Sequence, residues 1–331
     1  MTKLKKKTIY IYIIIIVALY IVISVIPSLT GALTRTETLE YGDLKVKDQV
    51  TCWIIRTETV YSAPYSGSIK YKVSEGDLLK KGAQVLTMTK TDSTEKQDSG
   101  SSGSEYSEYE KRLGKSMVKD TSFNAAMRGI FSCYIDGYEN YFTPSRMEKL
   151  KYDKVKKLNI EGRNISRKNA KAGEPVYKIA DSGEWYMAFW VESGDIAKYK
   201  QNAAITAELP AGDVRGEVYK LIKDGNRWLI LVRSTRYYKD FAKNREIDGH
   251  MVTTNKRGLL ISNSALTTKK GVVGAYVKQT TGDYKFVPVK TIASNGENTL
   301  VKENTYYDSD GNPIDTVKVY DEVLKNPEAE Q

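Results

Sequence analysis

The chain has 331 residues, 40% of them hydrophobic, which is enough for two or three compact modules with apolar cores. Its formal net charge is +10, but bases and acids are interspersed along the sequence, so no nucleic-acid-binding stripe is predicted. Its two cysteines lack CxxC spacing, which excludes a CxxC redox motif and a four-cysteine zinc site.

The N-terminus has the pattern of a membrane anchor. Residues 1–8 contain four lysines, and residues 9–27 contain no charge. As a helix, this apolar run can cross about 27 Å of hydrocarbon at 1.5 Å per residue. The lysines favour a cytoplasmic N-terminus, so we expect a single-pass anchor in the plasma (inner) membrane and an extracytoplasmic body. A signal peptide cleaved near residues 30–32 is the alternative, although the apolar regions of such peptides are usually shorter.

A linker and a first strand are expected over residues 28–49, and the first half of a small β domain over residues 50–90. Ile69, Tyr71 and Val73 alternate with lysines, which is typical of a half-buried strand. Gly76 and Gly82 mark turns, because glycine takes positive φ without steric cost.

The next segment, residues 91–124, is predicted to be a flexible insert. Its first part is rich in serine, glycine and aspartate, and a short helix is expected over residues 105–118. Replacing residues 91–120 with a tight hairpin is therefore expected to leave thermal stability nearly unchanged.

Residues 125–183 repeat the first β-unit in degenerate form. The run 129–137 echoes 67–76, and the run 173–179 echoes 82–88, which predicts two interlocking halves of one domain. Chance recurrence of glycine–aliphatic runs is the alternative. Between these runs, residues 144–157 predict a helix with Thr143 as its N-cap and a solvated lysine face; a lysine face that contacts a membrane surface or teichoic acid is the alternative.

Two further β modules are expected, over residues 184–257 and 258–326, before a disordered tail at 327–331. The run Trp185–Val191 is apolar at every position, which predicts a strand buried on both faces. Residues 223–226 predict a hairpin turn. Other strands are predicted at 205–209, 216–222, 228–232, 251–252, 272–277, 285–289, 299–302 and 317–323.

Segments 63–67, 75–82 and 172–177, in this order, resemble the barrel-sandwich hybrid (biotinyl/lipoyl-like) domain of HlyD-type membrane fusion proteins, the periplasmic adaptor subunits of efflux transporters. Segment 258–266 resembles their crossing into the membrane-proximal domain. The resemblance implies a mainly β chain with one N-terminal transmembrane helix, a hybrid domain, a β-barrel and a membrane-proximal β domain. It also implies a membrane transporter as partner, such as an ABC exporter, and a homo-oligomer. The insert is too short for the long coiled-coil hairpin of many relatives.

The residues predict no catalytic, cofactor-binding or metal site. His250 is interpreted as a surface or turn residue, and Lys90 lacks the sequence context of a lipoylated or biotinylated lysine. Residues 308–312 predict a hairpin turn rather than a calcium loop, because no bidentate glutamate follows at the required spacing. Whether Cys52 and Cys133 form a disulfide is left open.

The sequence therefore favours a non-enzymatic, membrane-anchored adaptor of an export or efflux system, which contacts the bilayer through residues 9–27. The alternative is a structural or interaction protein of the cell envelope that kept the adaptor fold without transport.

Overall fold

The computed structural model of the protein describes Ile16 and residues 36–90, 106–119 and 121–327. The chain divides into two compact units: one combines Met1–Val46 with Thr254–Gln331, and the other is Lys47–Thr253. None of the helices in these described ranges is long and apolar enough to cross a membrane. Apart from Ile16, the predicted anchor at 9–27 lies outside the described residues, as do residues 91–105 and 328–331.

Strands dominate both units and are numbered here in chain order. The first twelve are β1 (Thr36–Thr38), β2 (Glu40–Ile55), β3 (Glu58–Ser62), β4 (Gly67–Tyr71), β5 (Leu78–Leu79), β6 (Leu86–Lys90), β7 (Val118–Lys119), β8 (Gly129–Ser132), β9 (Tyr134–Ile135), β10 (Arg163–Asn164), β11 (Asn169–Ala170) and β12 (Pro175–Asp181). The others are β13 (Trp185–Glu192), β14 (Ala204–Leu209), β15 (Gly212–Asp224), β16 (Arg227–Ser234), β17 (Glu246–Ser262), β18 (Thr267–Lys269), β19 (Val272–Lys278), β20 (Tyr284–Pro288), β21 (Thr291–Ser294), β22 (Asn298–Val301), β23 (Thr305–Tyr307), β24 (Pro313–Asp315) and β25 (Glu322–Leu324). The described α-helices are α1 (Ser107–Leu113) and α2 (Tyr152–Val155), and 3₁₀ turns span Gly114–Ser116, Met147–Lys149, Ile196–Lys198 and Asn263–Ala265.

The larger unit contains a two-sheet domain, hereafter the hybrid domain, built from β3–β12. Its main sheets have the orders β11-β4-β6 and β5-β8-β12-β3-β7. Strand β8, from the second predicted half, lies between β5 of the first half and β12. Strand β11 of the second half likewise pairs with β4 of the first. The two halves therefore interlock as predicted, and the turn glycines Gly76 and Gly82 both have φ +86°.

Six strands of the larger unit close into a barrel. The order is β14-β15-β16-β13-β2-β17, and β17 returns to pair with β14. Strand β13 confirms the prediction of a strand buried on both faces. Its alternate residues Trp185, Met187 and Phe189 share the core with residues from the other five strands. Tyr186 and Trp190 point to the opposite face, where a second apolar cluster covers them.

Residues 142–158 form that covering layer, and their predicted single helix over 144–157 is wrong. Leu150 and Lys151 are extended, and they separate a 3₁₀ turn from α2. The break lets Leu150 enter the apolar cluster on the outer face of the barrel, so burial outweighs helix continuity. Thr143 provides a carbonyl acceptor for Met147 N–H rather than a side-chain cap.

The second part of the predicted insert belongs to the hybrid core. Tyr106, Leu113 and Phe123 are at most 9% exposed and pack in that core. Strand β7 also pairs with β3, in parallel. The expectation that residues 91–120 can be replaced without loss is therefore wrong for 106–119, because their removal would open the core.

The smaller unit contains a sheet of order β1-β25-β19-β18, with β20 also paired to β19. Leu39, Val277 and Val323 belong to its apolar core. The predicted strand over 317–323 is wrong for 317–321: Tyr320 has φ +69°, which interrupts an extended strand, and the observed strand is Glu322–Leu324. The domain boundaries expected from the sequence stay predictions.

Candidate functional site

Six charged side chains meet where the barrel and the hybrid domain join within the larger unit. They are at most 3% exposed, and three are basic and three acidic, so the cluster carries no net charge: Arg56, Glu58, Asp136, Glu139, Lys178 and Arg245. We call these six residues the junction cluster. Charged side chains are almost never fully buried unless they are paired, so the pairing decides whether the domain junction is stable.

Elements of both domains supply the cluster. Arg56 follows β2 of the barrel, and Glu58 begins β3 of the hybrid domain. Lys178 lies on β12, in the middle of the hybrid domain, whereas Arg245 directly precedes β17 of the barrel. The cluster therefore closes only when both domains have folded against each other.

Glu58 is the centre of the junction cluster. Its Oε1 lies 2.8 Å from Lys178 Nζ and 3.0 Å from Arg56 Nε. Its Oε2 accepts a hydrogen bond from Arg245 Nη2. One carboxylate thus contacts three cations, from the hybrid domain, the crossing between domains and the barrel.

The two guanidinium groups also donate hydrogen bonds outside Glu58, mostly to backbone carbonyls. Arg56 donates to Asn244 O at 2.9 Å and to Ala242 O at 3.2 Å. Arg245 donates to Ile54 O at 3.0 Å and to Asp136 Oδ2 at 2.9 Å. These bonds compensate for the hydration that both groups lose on burial.

Glu139 completes the cluster from the loop after β9. Its carboxylate accepts hydrogen bonds from Asp136 N–H and Gly137 N–H, each at 2.9 Å, and lies 3.4 Å from Lys178 Nζ. Gly137 has φ +81°, a left-handed conformation that turns the loop back over the cluster. This backbone conformation favours glycine at position 137.

The pKa shifts identify Glu58 as the carboxylate that the cluster holds ionised. Burial alone would raise the pKa of Glu58, but Arg245, Arg56 and Lys178 together lower it far below its ordinary value. Burial, aided by the Asp136 charge, raises the pKa of Glu139. An unpaired charge in this buried cluster would strongly lower the stability of the fold, because it would have no water to solvate it.

A cleft of about 450 Å³ opens beside the junction, between a turn of the hybrid domain and a loop of the barrel. Leu78 and Tyr237 stand at its rim with 53% and 68% of their surfaces exposed. Arg128 and Arg236 also line it. Apolar rim residues beside two guanidinium groups suit a ligand in which an apolar group lies next to a negative charge.

The structure does not bring the residues considered from the sequence into one site. His250 lies on β17 opposite Glu208, so its placement in a turn is wrong. Lys90 ends β6 and is exposed. Asp308 Oδ1 accepts hydrogen bonds from Asp310 N–H and Asn312 N–H at 2.9 and 2.8 Å, and these bonds close the predicted turn between β23 and β24. Within the described ranges, no three His, Cys, Asp or Glu residues are grouped to hold a metal ion.

The two cysteines are free thiols in separate cores, so a disulfide between them is absent. Cys52 lies in the barrel core, where its Sγ donates to Ile247 O at 3.2 Å. Cys133 lies in the core of the hybrid domain. Burial raises the pKa of each thiol to about 12, which disfavours the reactive thiolate.

Sequence reasoning missed the junction cluster, although one of its residues carries a readable signal. Lys178 interrupts the apolar run 176–180, and every residue of that run is buried. A lysine at an inward position of such a strand predicts a buried acidic partner. The identity of that partner was not readable, because Glu58 lies 120 residues earlier in the chain.

Comparison with protein families identifies the two domains. Residues 58–181 match the RND-related barrel-sandwich hybrid domain, and residues 185–255 match the RND-related beta-barrel domain. Together the two matches cover more than half of the chain. A search of curated proteins found no match.

Solved structures with a similar chain course include three from bacteria. MacA from Actinobacillus actinomycetemcomitans is 12% identical, with 87% of this chain and 98% of that chain covered and a TM-score of 0.37. ZneB from Cupriavidus metallidurans is 10% identical, with 87% and 91% covered and a TM-score of 0.29. The membrane fusion protein Spr0693 from Streptococcus pneumoniae R6 is 9% identical, with 63% and 100% covered and a TM-score of 0.29.

The assignment depends on the two family matches rather than on these low TM-scores. The matched segments are the hybrid domain and the barrel that the junction cluster joins, in the order that the resemblance to adaptor subunits implied. The chain therefore belongs to the family of proteins that combine an RND-related barrel-sandwich hybrid domain with an RND-related beta-barrel domain.

Proposed function

We propose that this chain is a non-enzymatic, membrane-anchored adaptor of an export or efflux system, which bridges a membrane transporter to the cell envelope. The observation that carries the proposal is the junction cluster, which joins the two family domains into one body. The partner is a transporter of the plasma membrane, with an ABC exporter as the specific expectation, and the adaptor works as a homo-oligomer.

A bridging subunit must keep a fixed geometry between its two contact surfaces. Rotation of the barrel against the hybrid domain would separate Glu58 from Arg56 and Arg245. Breaking a buried ion pair costs about 3–5 kcal/mol, because a charge is left without a partner. The cluster therefore resists the domain rotations that are the default for less tightly held interfaces.

The proposed topology places residues 9–27 across the inner membrane and the β body on its outer side. The charge-free run and the preceding lysines support it. Protease added to spheroplasts should remove the body, while a cytoplasmic marker stays intact. Survival of the body under these conditions would contradict the topology, and a mature N-terminus near residue 33 would replace the anchor with a signal peptide.

The partner is tested by purification of the tagged full chain from membranes in mild detergent. We expect a polytopic transporter to be enriched with it. The control is an unrelated soluble domain fused to residues 1–35 of this chain, which separates capture by the body from capture by the anchor. Enrichment of envelope proteins without any transporter would favour the alternative of a structural envelope protein.

A further inference from the structure

The turn between β18 and β19 is a two-residue hairpin loop that projects from the sheet of the smaller unit. Lys269 pairs with Val272, which leaves Lys270 and Gly271 as the loop. Their φ values are +50° and +79°, the combination required by a type I′ turn. The side chains next to this loop are exposed, including Val272 at 44% and Val273 at 39%.

Strand β20 brings a second lysine to the same end of the sheet. Pro288 pairs with Gly274, and Val289 N–H donates to Val273 O at 2.9 Å, so Lys290 lies beside the turn. Ile292 follows, with 49% of its surface exposed. We call the five exposed residues at this end the basic tip: Lys270, Val272, Val273, Lys290 and Ile292.

The two lysines of the basic tip, Lys270 and Lys290, have no acidic partner in an ion pair among the residues that the structure describes. Glu37, an acidic residue on strand β1 of the same sheet, is already engaged: it accepts hydrogen bonds from Ser262 and lies 3.4 Å from Lys325 Nζ. The tip therefore combines exposed apolar side chains with uncompensated positive charge.

The sheet register shows which way the tip points. Strands β1 and β19 both run antiparallel to β25, so they are parallel to each other. Glu37 and Val277 both align with Val323. Val272 therefore lies about 13 Å beyond the level of Thr36, on the side from which the N-terminal chain enters β1.

That N-terminal chain is short. Only residues 28–35 separate the charge-free run 9–27 from β1, and they span at most about 30 Å. If residues 9–27 cross the bilayer, the end of the sheet that faces the entering chain lies within this distance of the lipid headgroups. The basic tip occupies that end.

We propose that the basic tip docks on the anionic headgroups of the membrane that holds the anchor. Lys270 and Lys290 contact lipid phosphates, and Val272, Val273 and Ile292 enter the interfacial layer between the headgroups. Each lysine near an anionic surface strengthens such contact about fivefold, so the pair contributes about 30-fold. This inference rests on the proposed anchor, and it adds a second point of membrane contact.

The test uses the full chain reconstituted into lipid nanodiscs. Val272→Cys carries an environment-sensitive fluorophore, while the native thiols Cys52 and Cys133 are buried. The control label is Thr281→Cys, in the turn at the opposite end of the β19–β20 pair. Lipids with a quencher in the headgroup region report contact, in discs of neutral phosphatidylcholine or of a mixture with anionic phosphatidylglycerol.

We expect quenching at position 272 and not at 281, and stronger quenching in anionic discs than in neutral discs. Adding Lys270→Asn and Lys290→Gln should weaken the contact in anionic discs about 30-fold, and high salt should act in the same direction. Equal quenching at 272 and 281 would overturn the proposal, as would quenching that is independent of lipid charge. If the fluorescence of the label at position 272 changes only after a transporter is added, the tip contacts a protein partner instead.

The result separates this proposal from the anchor on which it rests. A chain that does not co-elute with the discs refutes the anchor and, with it, the docking of the tip. A chain that co-elutes while position 272 stays unquenched refutes the tip alone.

Discussion

Two lysines of this protein, Lys178 and Lys270, show opposite ways of placing a positive charge. Lys178 is fully buried between Glu58 and Glu139, 2.8 and 3.4 Å away. Lys270 is exposed on a hairpin loop with φ +50°. The first charge is tolerated only because the fold around it is complete, whereas the second needs no partner within the fold. Burial, rather than residue type, thus decides whether a charge fixes a structure or remains available for contact.

The largest effect on stability is expected from a substitution that removes a buried partner of Lys178. Glu58→Gln removes the one carboxylate that contacts three cations, which leaves the junction cluster with an excess positive charge. We expect it to lower the free energy of unfolding by about 4 kcal/mol. Chemical denaturation of the detergent-solubilised full chain measures this loss.

The matched control is Glu148→Gln. Glu148 pairs with Lys220 at 2.6 Å, but both side chains are 43% exposed. Its removal should cost less than about 1 kcal/mol, because water replaces the lost partner. Equal losses for the two variants would show that the junction cluster does not stabilise the fold through its buried charges.

An apolar substitution in the hybrid core gives the next largest effect. Leu113 ends α1 and is 2% exposed, so Leu113→Ala should cost about 3 kcal/mol through the cavity it leaves. Lys111→Ala, on the exposed side of the same helix, should have little effect. A small loss for Leu113→Ala, measured by the same denaturation, would restore the interpretation of this segment as a dispensable insert.

Acidification sharpens the comparison, because Glu58 takes up a proton in the unfolded chain at a higher pH than in the folded protein. The pKa of Glu58 is lowered in the folded protein, so its stabilising effect is complete above the unfolded value near pH 4.3 and is lost as pH falls further. At pH 3.5 the stability difference between the native chain and Glu58→Gln should shrink by about 1 kcal/mol. Denaturation at pH 7, 5 and 3.5 tests this, and a constant difference across the series would contradict it.

The smallest effect on stability is expected from substitution of the exposed Lys270. Lys270 holds a left-handed conformation that asparagine adopts more readily, so Lys270→Asn should raise stability by up to about 1 kcal/mol. Lys269→Asn is the control, because Lys269 Nζ lies over the Tyr276 ring at 5.5 Å and its loss should lower stability slightly. A loss of stability for Lys270→Asn in thermal unfolding would show that this turn depends on lysine.

Local patterns were sufficient to predict much of this fold. The apolar run of β13, the turn before Arg227 and the interlocked halves of the hybrid domain depend on neighbouring residues or on a repeated unit, and all three are confirmed. The break at Leu150 was not predictable in this way, since it depends on an apolar surface supplied by β13 and β16. Leu113 was missed for the same reason.

The junction cluster is harder to predict from a sequence pattern than these local features are. Arg56 and Arg245 are 189 positions apart, yet both contact Glu58. Only the closed barrel, with the hybrid domain folded between two of its strands, brings them together. The basic tip was missed because exposure and sheet register, rather than composition, distinguish Lys270 from the many other surface lysines.

The same long-range pairing has a consequence for synthesis of the chain. Strand β2 emerges early, but Ile55 pairs with Tyr186, about 130 residues later. At 5–20 residues per second, the apolar end of β2 waits roughly ten seconds for this partner, with its backbone edge unpaired. We expect a holding chaperone to cover this strand during synthesis, so chains arrested before residue 185 should crosslink to one through Trp53. Absence of that crosslink would show that the unfinished barrel protects its own edge.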